Sequence, residues 1–230
     1  MKAILLAAGF GTRLRPLTLN TPKCLVEING KPLLGYWLDS LLDAGISDIL
    51  INTHYLSEQV VEFLASDPRY GKVSIFHEDS LMGTLGTLRA TQSFWQGDDL
   101  MVIHADNYCR CDWRLFFRAF EHRPDDCMGT MVLFETDCPE HCGIVELDNS
   151  GRVIAFHEKV ERPPSNLANG AVYLFDAELV TEISMLDDNK NDLSLNLIPH
   201  LIGKLNSWKI EGYLRDIGNP HALLKAQDTL

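Results

Sequence analysis

An apolar run that leads directly into a glycine turn limits what the N-terminal part of this chain can form. Residues Ala3 to Ala8 are apolar, and they are followed by Gly9-Phe10-Gly11-Thr12-Arg13 and, further along, by Pro22-Lys23. A buried strand that ends in such a turn presents backbone N–H groups, and nearby cations add positive charge, so the combination suits a polyphosphate. The pattern therefore predicts an enzyme that handles nucleotides.

The two glycines alone would be weak support, because many strands turn on glycine for conformational reasons only. The segment contains no G-x-x-x-x-G-K-[ST] and no third glycine to complete G-x-G-x-x-G, so neither a P-loop NTPase nor a Rossmann dehydrogenase is supported. What remains is a longer string, G-x-G-T-R-x-x-P-L-T followed by P-K. Its cations and hydroxyls at fixed offsets favour phosphate binding over a purely structural turn.

Composition narrows the classes of partner. The chain has 230 residues, of which 46% are hydrophobic, and a net charge of −12. Such a charge opposes nucleic-acid binding, which normally requires a basic face. Since no apolar stretch approaches the ~20 residues of a membrane helix, we expect no membrane association and a cytoplasmic location.

Hydrophobic periodicity predicts an α/β fold. The first half alternates between strand and helix, which is typical of a mostly parallel sheet flanked by helices, and the segment from about residue 127 contains short strands with little helix between them. We therefore expect a Rossmann-like, mostly parallel mixed sheet with a smaller antiparallel lobe. The predicted strands are 2–8, 48–53, 73–77, 99–105, 128–134, 142–147, 153–157, 169–175 and 207–211, and the predicted helices are 32–44, 56–66, 84–94, 176–185, 193–203 and one from about 219.

Two aspartates, Asp106 and Asp216, each follow an apolar stretch. In a parallel sheet this is the edge where ligands bind, and hard carboxylate oxygens there suit Mg²⁺ together with substrate phosphates. The alternative interpretation is that Asp216 caps the following helix and Asp106 closes a turn. The cysteines do not indicate a metal site, because neither Cys109-x-Cys111 nor Cys138-x3-Cys142 has the spacing of a zinc site.

On these motifs the chain resembles the sugar-1-phosphate nucleotidyltransferases, and most closely the mannose- and heptose-1-phosphate guanylyltransferases. The resemblance implies the nucleotide-diphospho-sugar transferase fold, with a glycine-rich loop around the triphosphate, Arg13 on the departing phosphates, Lys23 at the reacting phosphate, and Mg²⁺ on Asp106 and Asp216. The chain departs from the family pattern at Ala105 and Asn219. Nucleotide-binding residues implied by the match are Leu6, Ala8, Gly9, Gly11, Thr12, Arg13, Lys23, Glu78 and Gly83.

The resemblance also implies a sugar-phosphate site in the antiparallel lobe. Three stretches, Cys142-Gly143-Ile144, Glu158-Lys159-Val160 and Asn169-Gly170-Ala171, are imperfect matches to the sugar-binding motifs of the family. The residues carried over are Gly143, Glu158, Lys159 and Asn169. Taken alone, Glu158 and Lys159 would be interpreted as a solvated surface pair.

Glu78 bears on the choice of nucleotide. A carboxylate only accepts hydrogen bonds, which suits the adjacent N1–H and amine donors of guanine better than the edge of a pyrimidine. The alternative is that Glu78 merely faces solvent at the end of a strand. His54, in contrast, is interpreted as a hydrogen-bonded structural residue.

The expected reaction is Mg²⁺-dependent transfer of a nucleotidyl group from a nucleoside triphosphate to a sugar 1-phosphate. GTP is the favoured donor, and a manno-configured hexose or heptose is the favoured sugar. The product would be a polysaccharide precursor. The alternatives are a UTP-, dTTP- or CTP-dependent enzyme acting on another sugar phosphate or on phosphocholine, and a non-catalytic nucleotide-sugar sensor. We expect one nucleotidyltransferase domain, active as a monomer or homodimer and without a C-terminal β-helix domain. Its nucleotide-binding part would span about 1–126, its sugar-binding lobe about 127–175 and its closing segment about 176–230.

Overall fold

The computed structural model describes residues 1–228, which form two compact units. The first unit contains Met1–Leu81, Val102–Trp113 and the chain from Gly212 onward. The second contains Met82–Met101 and Arg114–Glu211. The division predicted from the sequence at residues 126 and 175 concerns substrate binding and stays a prediction.

The regular elements of the chain are thirteen strands and eight α-helices within residues 1–228, joined in places by short 3₁₀ turns. The strands are β1 (Lys2–Leu6), β2 (Glu27–Ile28), β3 (Lys31–Pro32), β4 (Ile49–Thr53), β5 (Ser74–His77), β6 (Leu100–His104), β7 (Asn107–Arg110), β8 (Gly129–Glu135), β9 (Gly143–Leu147), β10 (Val153–Glu158), β11 (Leu167–Phe175), β12 (Leu205–Lys209) and β13 (Tyr213–Asp216). The helices are α1 (Leu33–Asp43), α2 (Ser57–Ala65), α3 (Thr84–Ala90), α4 (Gln92–Trp95), α5 (Trp113–Glu121), α6 (Leu179–Ser184), α7 (Ile198–His200) and α8 (Pro220–Gln227).

The first unit is built on parallel strands. Strand β4 lies between β1 and β5 and runs parallel to both, and β6, which enters this unit at Val102, is the other neighbour of β1. Every residue of β4 is buried, as expected for a strand covered on both faces. Because the strands are parallel, the residues that follow β1, β4 and β5 meet at one edge of the sheet.

A short antiparallel ribbon accompanies this sheet. Strands β7 and β13 pair so that Asn107 faces Asp216 and Cys109 faces Leu214. The ribbon is anchored to α1, because the indole Nε1 of Trp37 donates to the carbonyl of Asn107 over 2.7 Å. A ribbon of two four-residue strands has little stability of its own, so this anchor and its buried residues hold it in place.

The second unit is mainly antiparallel. Strand β11 pairs antiparallel with both β8 and β9, β9 pairs with β10, and β12 runs parallel to β8. The register of β11 against β8 shifts between Asn169 and Tyr173, where Ala171 has a positive φ of 51°. This is a bulge, and bulges redirect side chains locally.

The predicted α/β class, with a mostly parallel sheet and additional antiparallel strands, is confirmed, and the strands predicted in the first half lie within about two residues of those observed. Two helix predictions were wrong in detail: the segment predicted at 84–94 breaks at Thr91 into α3 and α4, and 193–203 begins with a π-helical turn before α7. The hydroxyl of Thr91 donates to the Thr87 carbonyl at the break. Helix α5 and the short strands β2, β3, β7 and β13 were not predicted. None of the helices within residues 1–228 has the length and apolar character needed to cross a membrane.

Candidate active site

The glycine turn after β1 has the conformation that the sequence predicted. Gly11 has a φ of +62° and precedes a 3₁₀ turn over Thr12–Leu14, and its carbonyl accepts from the hydroxyl of Thr18 over 2.7 Å. A methyl group on Gly11 would lie 3.0 Å from Cβ of Lys23. Glycine is therefore required here both by the backbone and by the close approach of the Lys23 segment.

Lys23 is the centre of a charged cluster. Its side chain is only 9% exposed, and its Nζ donates to Oδ2 of Asp106 over 2.7 Å and to Oδ1 of Asp216 over 3.2 Å. Arg13 lies on the outer side, with its Nη2 3.6 Å from Oδ2 of Asp216 and its side chain 68% exposed. The structure thus brings together the four residues that were predicted to be catalytic.

The β7–β13 ribbon explains how two aspartates 110 positions apart in the sequence come together. Asp106 lies in the turn before β7, and Asp216 ends β13 opposite Asn107. The amide of Ile217 also donates to the carbonyl of Asp106 over 3.3 Å. A methyl group on Gly218 would lie 2.7 Å from Nη2 of Arg13 and 2.8 Å from Oδ2 of Asp216, so this glycine gives the cluster its space.

The alternative interpretation of Asp216 as a helix cap is wrong. The cap of α8 is Asn219, whose side-chain oxygen accepts from the amide of Ala222 over 2.9 Å. Asn219, where the chain departs from the family pattern, therefore has a capping function. Asp106 does lie in a turn, and its carboxylate faces Lys23 as well.

The charges within this cluster stabilise one another. Burial disfavours the charged form of Lys23, but the attraction of Asp106 and Asp216 outweighs burial and raises its pKa. For Asp106, desolvation is likewise outweighed by the Lys23 ammonium, which keeps the pKa of that carboxyl below its usual range. The ion pair between Lys23 and Asp106 therefore keeps both groups charged at neutral pH.

The donor set fits a hard divalent cation with few protein ligands. Asp106 and Asp216 converge on one ammonium group, and their side chains are 40% and 49% exposed, so both can reach a ligand from solvent. Within residues 1–228 no group of three or more His, Cys, Asp or Glu that could hold a metal ion is found. Two carboxylates supplemented by substrate phosphates are the usual environment of Mg²⁺.

Glu78 is buried, so the interpretation that it faces solvent is wrong. The residue is 2% exposed, and its Oε1 accepts from Nδ2 of Asn52 over 2.8 Å. The Oδ1 of the same Asn52 accepts from the amide of Ala7 over 2.6 Å. Asn52 thus ties together the ends of β1, β4 and β5. Sequence reasoning missed it, although a polar residue inside the apolar run 49–53 was a usable signal.

His54 and Phe10 complete this edge of the first unit. The Nδ1 of His54 is 2.7 Å from the carbonyl oxygen of Glu78, which fits the structural interpretation of this histidine. The ring of Phe10, in the glycine turn, packs against His54 and Tyr55 with centroid distances of 5.4 and 5.5 Å. The glycine turn is therefore in contact with the segment that follows β4.

Gly83 belongs to the second unit, whereas the other residues that were predicted to bind the nucleotide belong to the first. It precedes α3 with a φ of +77°, and a methyl group there would collide with the carbonyl of Asn191. The same carbonyl accepts from the amide of Leu85 over 2.9 Å. Within this unit the glycine has a clear packing reason, and its role toward a nucleotide stays a prediction.

The four predicted sugar-phosphate residues lie on three neighbouring strands of the second unit or directly after them. Gly143 on β9 faces Glu158 on β10, and a methyl group on Gly143 would lie 2.5 Å from the ring of Phe156. Lys159 has a φ of +50°, and its Nζ is 3.0 Å from Oε1 of Glu158. The Glu158 side chain is 20% exposed and that of Lys159 is 64% exposed, so the pair is only partly solvated.

Asn169 is held by the bulge in β11. Its Nδ2 donates to the hydroxyl of Tyr173 over 2.6 Å, and its Oδ1 accepts from the amide of Ala171 over 2.9 Å. Burial raises the pKa of the Tyr173 phenol, which keeps it protonated. The amide of Asn169 is thus fixed in orientation.

Comparisons with known proteins identify relatives of this chain. The chain is 32% identical over 235 residues to the bifunctional protein GlmU of Methanocaldococcus jannaschii, with all of this chain and 54% of that protein covered. It is 31% identical over 229 residues to the mannose-1-phosphate guanylyltransferase catalytic subunit beta of Danio rerio, with 97% of this chain and 63% of that protein covered. The chain thus spans between half and two thirds of the length of these relatives.

Solved structures show the same fold. A Bacillus anthracis protein described as a glucose-1-phosphate thymidylyltransferase superposes with a TM-score of 0.88 at 28% identity, covering 99% of this chain and 94% of that one. HddC of Yersinia pseudotuberculosis, solved with GMP-PN, superposes with a TM-score of 0.80 at 26% identity, covering 99% and 98%. The family model "Nucleotidyl transferase" matches residues 2–230. The resemblance found in the sequence is therefore confirmed, and the chain belongs to the nucleotidyl transferase family.

Proposed function

We propose that this protein joins a nucleoside triphosphate to a sugar 1-phosphate, giving a nucleoside-diphosphate sugar and pyrophosphate. The observation that carries the proposal is the cluster in which Lys23, Arg13, Asp106 and Asp216 meet beside a glycine turn. A buried cation, an exposed cation and two carboxylates at the edge of a parallel sheet suit the phosphates of a nucleotide. Membership in the nucleotidyl transferase family supports the same chemistry.

The reaction needs no proton transfer. An oxygen of the sugar phosphate, already an anion at neutral pH, forms a bond to the α-phosphorus while the bond from that phosphorus to pyrophosphate breaks, and the electron pair leaves with pyrophosphate. Catalysis then depends on alignment and on neutralising charge. We assign Lys23 to the α-phosphate and Arg13 to the departing pyrophosphate.

Nucleotidyl transferases generally use a divalent metal, and we propose Mg²⁺ for this one. Asp106 and Asp216 would hold it, because they supply two hard oxygen donors in one place. When bound, Mg²⁺ supplies positive charge to the phosphate oxygens and so stabilises the transition state. Lys23 keeps the two carboxylates close together despite their mutual repulsion.

The sugar phosphate would bind to the second unit. Gly143 leaves room beside Glu158, whose carboxylate can accept from sugar hydroxyls, and Lys159 supplies a cation for the phosphate. Asn169 offers an amide in a fixed orientation. This assignment stands on the residue types and on the adjacency of their strands.

GTP and a manno-configured sugar are the substrates that we favour. Glu78 is a buried acceptor held by Asn52 at the nucleotide edge of the first unit, and an acceptor suits the donor edge of guanine. Mannose-1-phosphate guanylyltransferases among the relatives, and a structural neighbour solved with GMP-PN, point the same way. The thymidylyltransferase neighbour makes dTTP the main competitor.

The decisive test is pyrophosphate release with Mg²⁺, measured for GTP, UTP, dTTP, CTP and ATP against mannose, glucose, N-acetylglucosamine and heptose 1-phosphates and phosphocholine. We expect turnover with GTP and a manno-configured sugar. Turnover with another nucleotide would keep the reaction and refute the assignment of Glu78. No pyrophosphate in any combination, together with tight binding of a nucleotide sugar, would instead establish a sensor.

A matched pair of variants tests the chemistry. Lys23→Ala should lower kcat by about 100-fold or more, because it removes charge aimed at the reacting phosphate. Lys31→Ala is the control, since Lys31 forms a comparable 2.6 Å ion pair with Asp39 in the same unit. A Lys23→Ala enzyme as active as the control would overturn the assignment.

A further inference from the structure

Two cysteines that the proposed reaction does not use lie side by side in the first unit. Cys109 belongs to β7, and Cys111 follows the strand directly. Residues two positions apart in an extended chain point to the same face, and their Sγ atoms are 3.9 Å apart, close to van der Waals contact. All six cysteines of the chain are free thiols.

The pair is accessible from a surface cavity. A cavity of about 630 Å³ is lined by both cysteines and by side chains of both charges, namely Lys31, Arg110, Asp39 and Asp43. Cys109 is 7% exposed, whereas Cys111 is partly exposed. A small thiol reagent can therefore reach Cys111 before it reaches Cys109.

The thiols lie on the same ribbon as the charged cluster. Cys109 faces Leu214 in the β7–β13 pairing, and two positions along the same ladder Asn107 faces Asp216. Asp106 directly precedes β7. A covalent change at Cys109 therefore acts on a two-stranded ribbon, and one end of this ribbon carries the carboxylates of both Asp106 and Asp216.

We propose that Cys109 and Cys111 form a reversible disulfide site, closed by a small-molecule disulfide, and that its closure lowers nucleotidyl transfer by straining the β7–β13 ribbon. The thiolate of Cys111 attacks one sulfur of the small disulfide and releases one thiolate. The sulfur of Cys109, losing its proton to solvent, then attacks Sγ of Cys111 and releases the second. The cysteine pair is oxidised by two electrons, and the small disulfide is reduced to two thiols.

The order of attack follows from burial. Desolvation, together with the neighbouring thiol of Cys111, raises the pKa of Cys109 well above its usual range. Cys109 is therefore a poor first nucleophile, and it reacts only when the mixed disulfide has been formed beside it.

Closure must move the backbone. A disulfide needs its sulfurs about 2.05 Å apart and its Cα atoms within about 6.8 Å. Two positions on one face of an extended strand are about 6.6 Å apart, whereas the Cβ atoms of a disulfide are only about 3.5–4.5 Å apart. Drawing the sulfurs together from 3.9 Å therefore pulls on β7, where Trp37 donates to the carbonyl of Asn107. Misplacing a catalytic group by about 1 Å costs on the order of 100-fold in rate.

The test uses glutathione disulfide and the full chain, with Cys111→Ser as the variant and Cys138→Ser, at an exposed cysteine, as the matched control. After oxidation, peptide mass spectrometry should show a loss of about 2 Da in the peptide that carries residues 109–111, for wild type and control but not for Cys111→Ser. Pyrophosphate release should fall about tenfold or more in the same two proteins and return with dithiothreitol.

Two results would overturn the proposal. Absence of the 2 Da loss would refute the disulfide site, and a closed disulfide with unchanged pyrophosphate release would refute its coupling to the ribbon. The activity readout rests on the proposed function, whereas the mass change does not. Should the reduced enzyme release no pyrophosphate with any substrate pair, the proposed function would fail, and tryptophan fluorescence of the oxidised and reduced forms would report on the ribbon through Trp37.

Discussion

Replacing Asn52 with alanine is the substitution whose effect the structure defines best. Asn52 is 4% exposed, and its amide uses both ends: Oδ1 accepts from the amide of Ala7, and Nδ2 donates to Oε1 of Glu78. The variant removes both hydrogen bonds and leaves their former partners inside the protein. We expect it to destabilise the fold and to weaken nucleotide binding.

The expected loss of stability can be worked out bond by bond. The bond from the Ala7 amide is worth about 1 kcal/mol and the bond to the Glu78 carboxylate about 1.5–3 kcal/mol, because a buried partner left unsatisfied costs its full desolvation. The sum is about 3 kcal/mol. For a chain of this length about 2–4 °C of melting temperature is lost per kcal/mol, so Tm should fall by about 6–12 °C.

Thermal unfolding and steady-state kinetics test this expectation together. Asn52→Asp keeps an acceptor for Ala7 but sets a second carboxyl group against Glu78, so it changes mainly the contact with Glu78. Asn166→Ala at an exposed position is the control. If Asn52 holds Glu78 for the base, KM for GTP should rise while KM for the sugar phosphate stays the same. A Tm within about 2 °C of the control for both Asn52 variants would refute the reasoning.

Three further predictions follow from packing and pKa values. Gly143→Ala places a methyl group 2.5 Å from an aromatic ring on β10, so thermal unfolding should show a loss of about 1–3 kcal/mol, whereas Gly9→Ala, which meets nothing within 4 Å, should be near neutral. Burial raises the pKa of the Cys24 thiol from 9.0 to about 12. Alkylation of Cys24 by iodoacetamide at pH 8, followed by peptide mass spectrometry, should therefore be about 1000-fold slower in the folded protein than in urea. A rate difference of only about tenfold would contradict this expectation. Burial of Asp39 is outweighed by its hydrogen bond from Lys31, which lowers its pKa below 3.8 in the fold; the stability that this provides is present above pH 3.8 and is lost as pH falls through the lower folded value. The difference in Tm between wild type and Asp39→Asn should therefore shrink toward acid, and a constant difference would count against it.

Sequence patterns predicted the central strands β1, β4 and β6 well because these strands are almost completely buried. Strand β4 (Ile49–Thr53) is nearly continuous in apolar residues, and such runs are bounded by clear turns. The ribbon strands β7 and β13 escaped notice, because four residues of mixed polarity such as Asn107–Arg110 carry no periodic signal. Their pairing depends on contacts between distant segments, which a local pattern does not contain.

The candidate site divides in the same way. Lys23, Asp106 and Asp216 belong to motifs with fixed offsets, so their types could be predicted, but their meeting at one ammonium depends on the ribbon. Gly218 lies two residues after Asp216, yet its role is visible only in the space that it leaves for Arg13. The burial of Glu78 likewise required the position of Asn52 in three dimensions.

The difference in burial between the two cations of the cluster supports their different assignments. Lys23 is 9% exposed and makes two ion pairs, at 2.7 and 3.2 Å, so its charge is fixed before substrate arrives. Arg13 is 68% exposed and has one contact, at 3.6 Å, with Asp216. A fixed charge costs no reorganisation when the α-phosphate reacts, which is what electrostatic catalysis requires. A loosely held, exposed arginine can follow pyrophosphate as it leaves, and its planar fork suits phosphate oxygens. This difference in burial supports our proposal that Lys23 stabilises the transition state and that Arg13 binds the departing pyrophosphate.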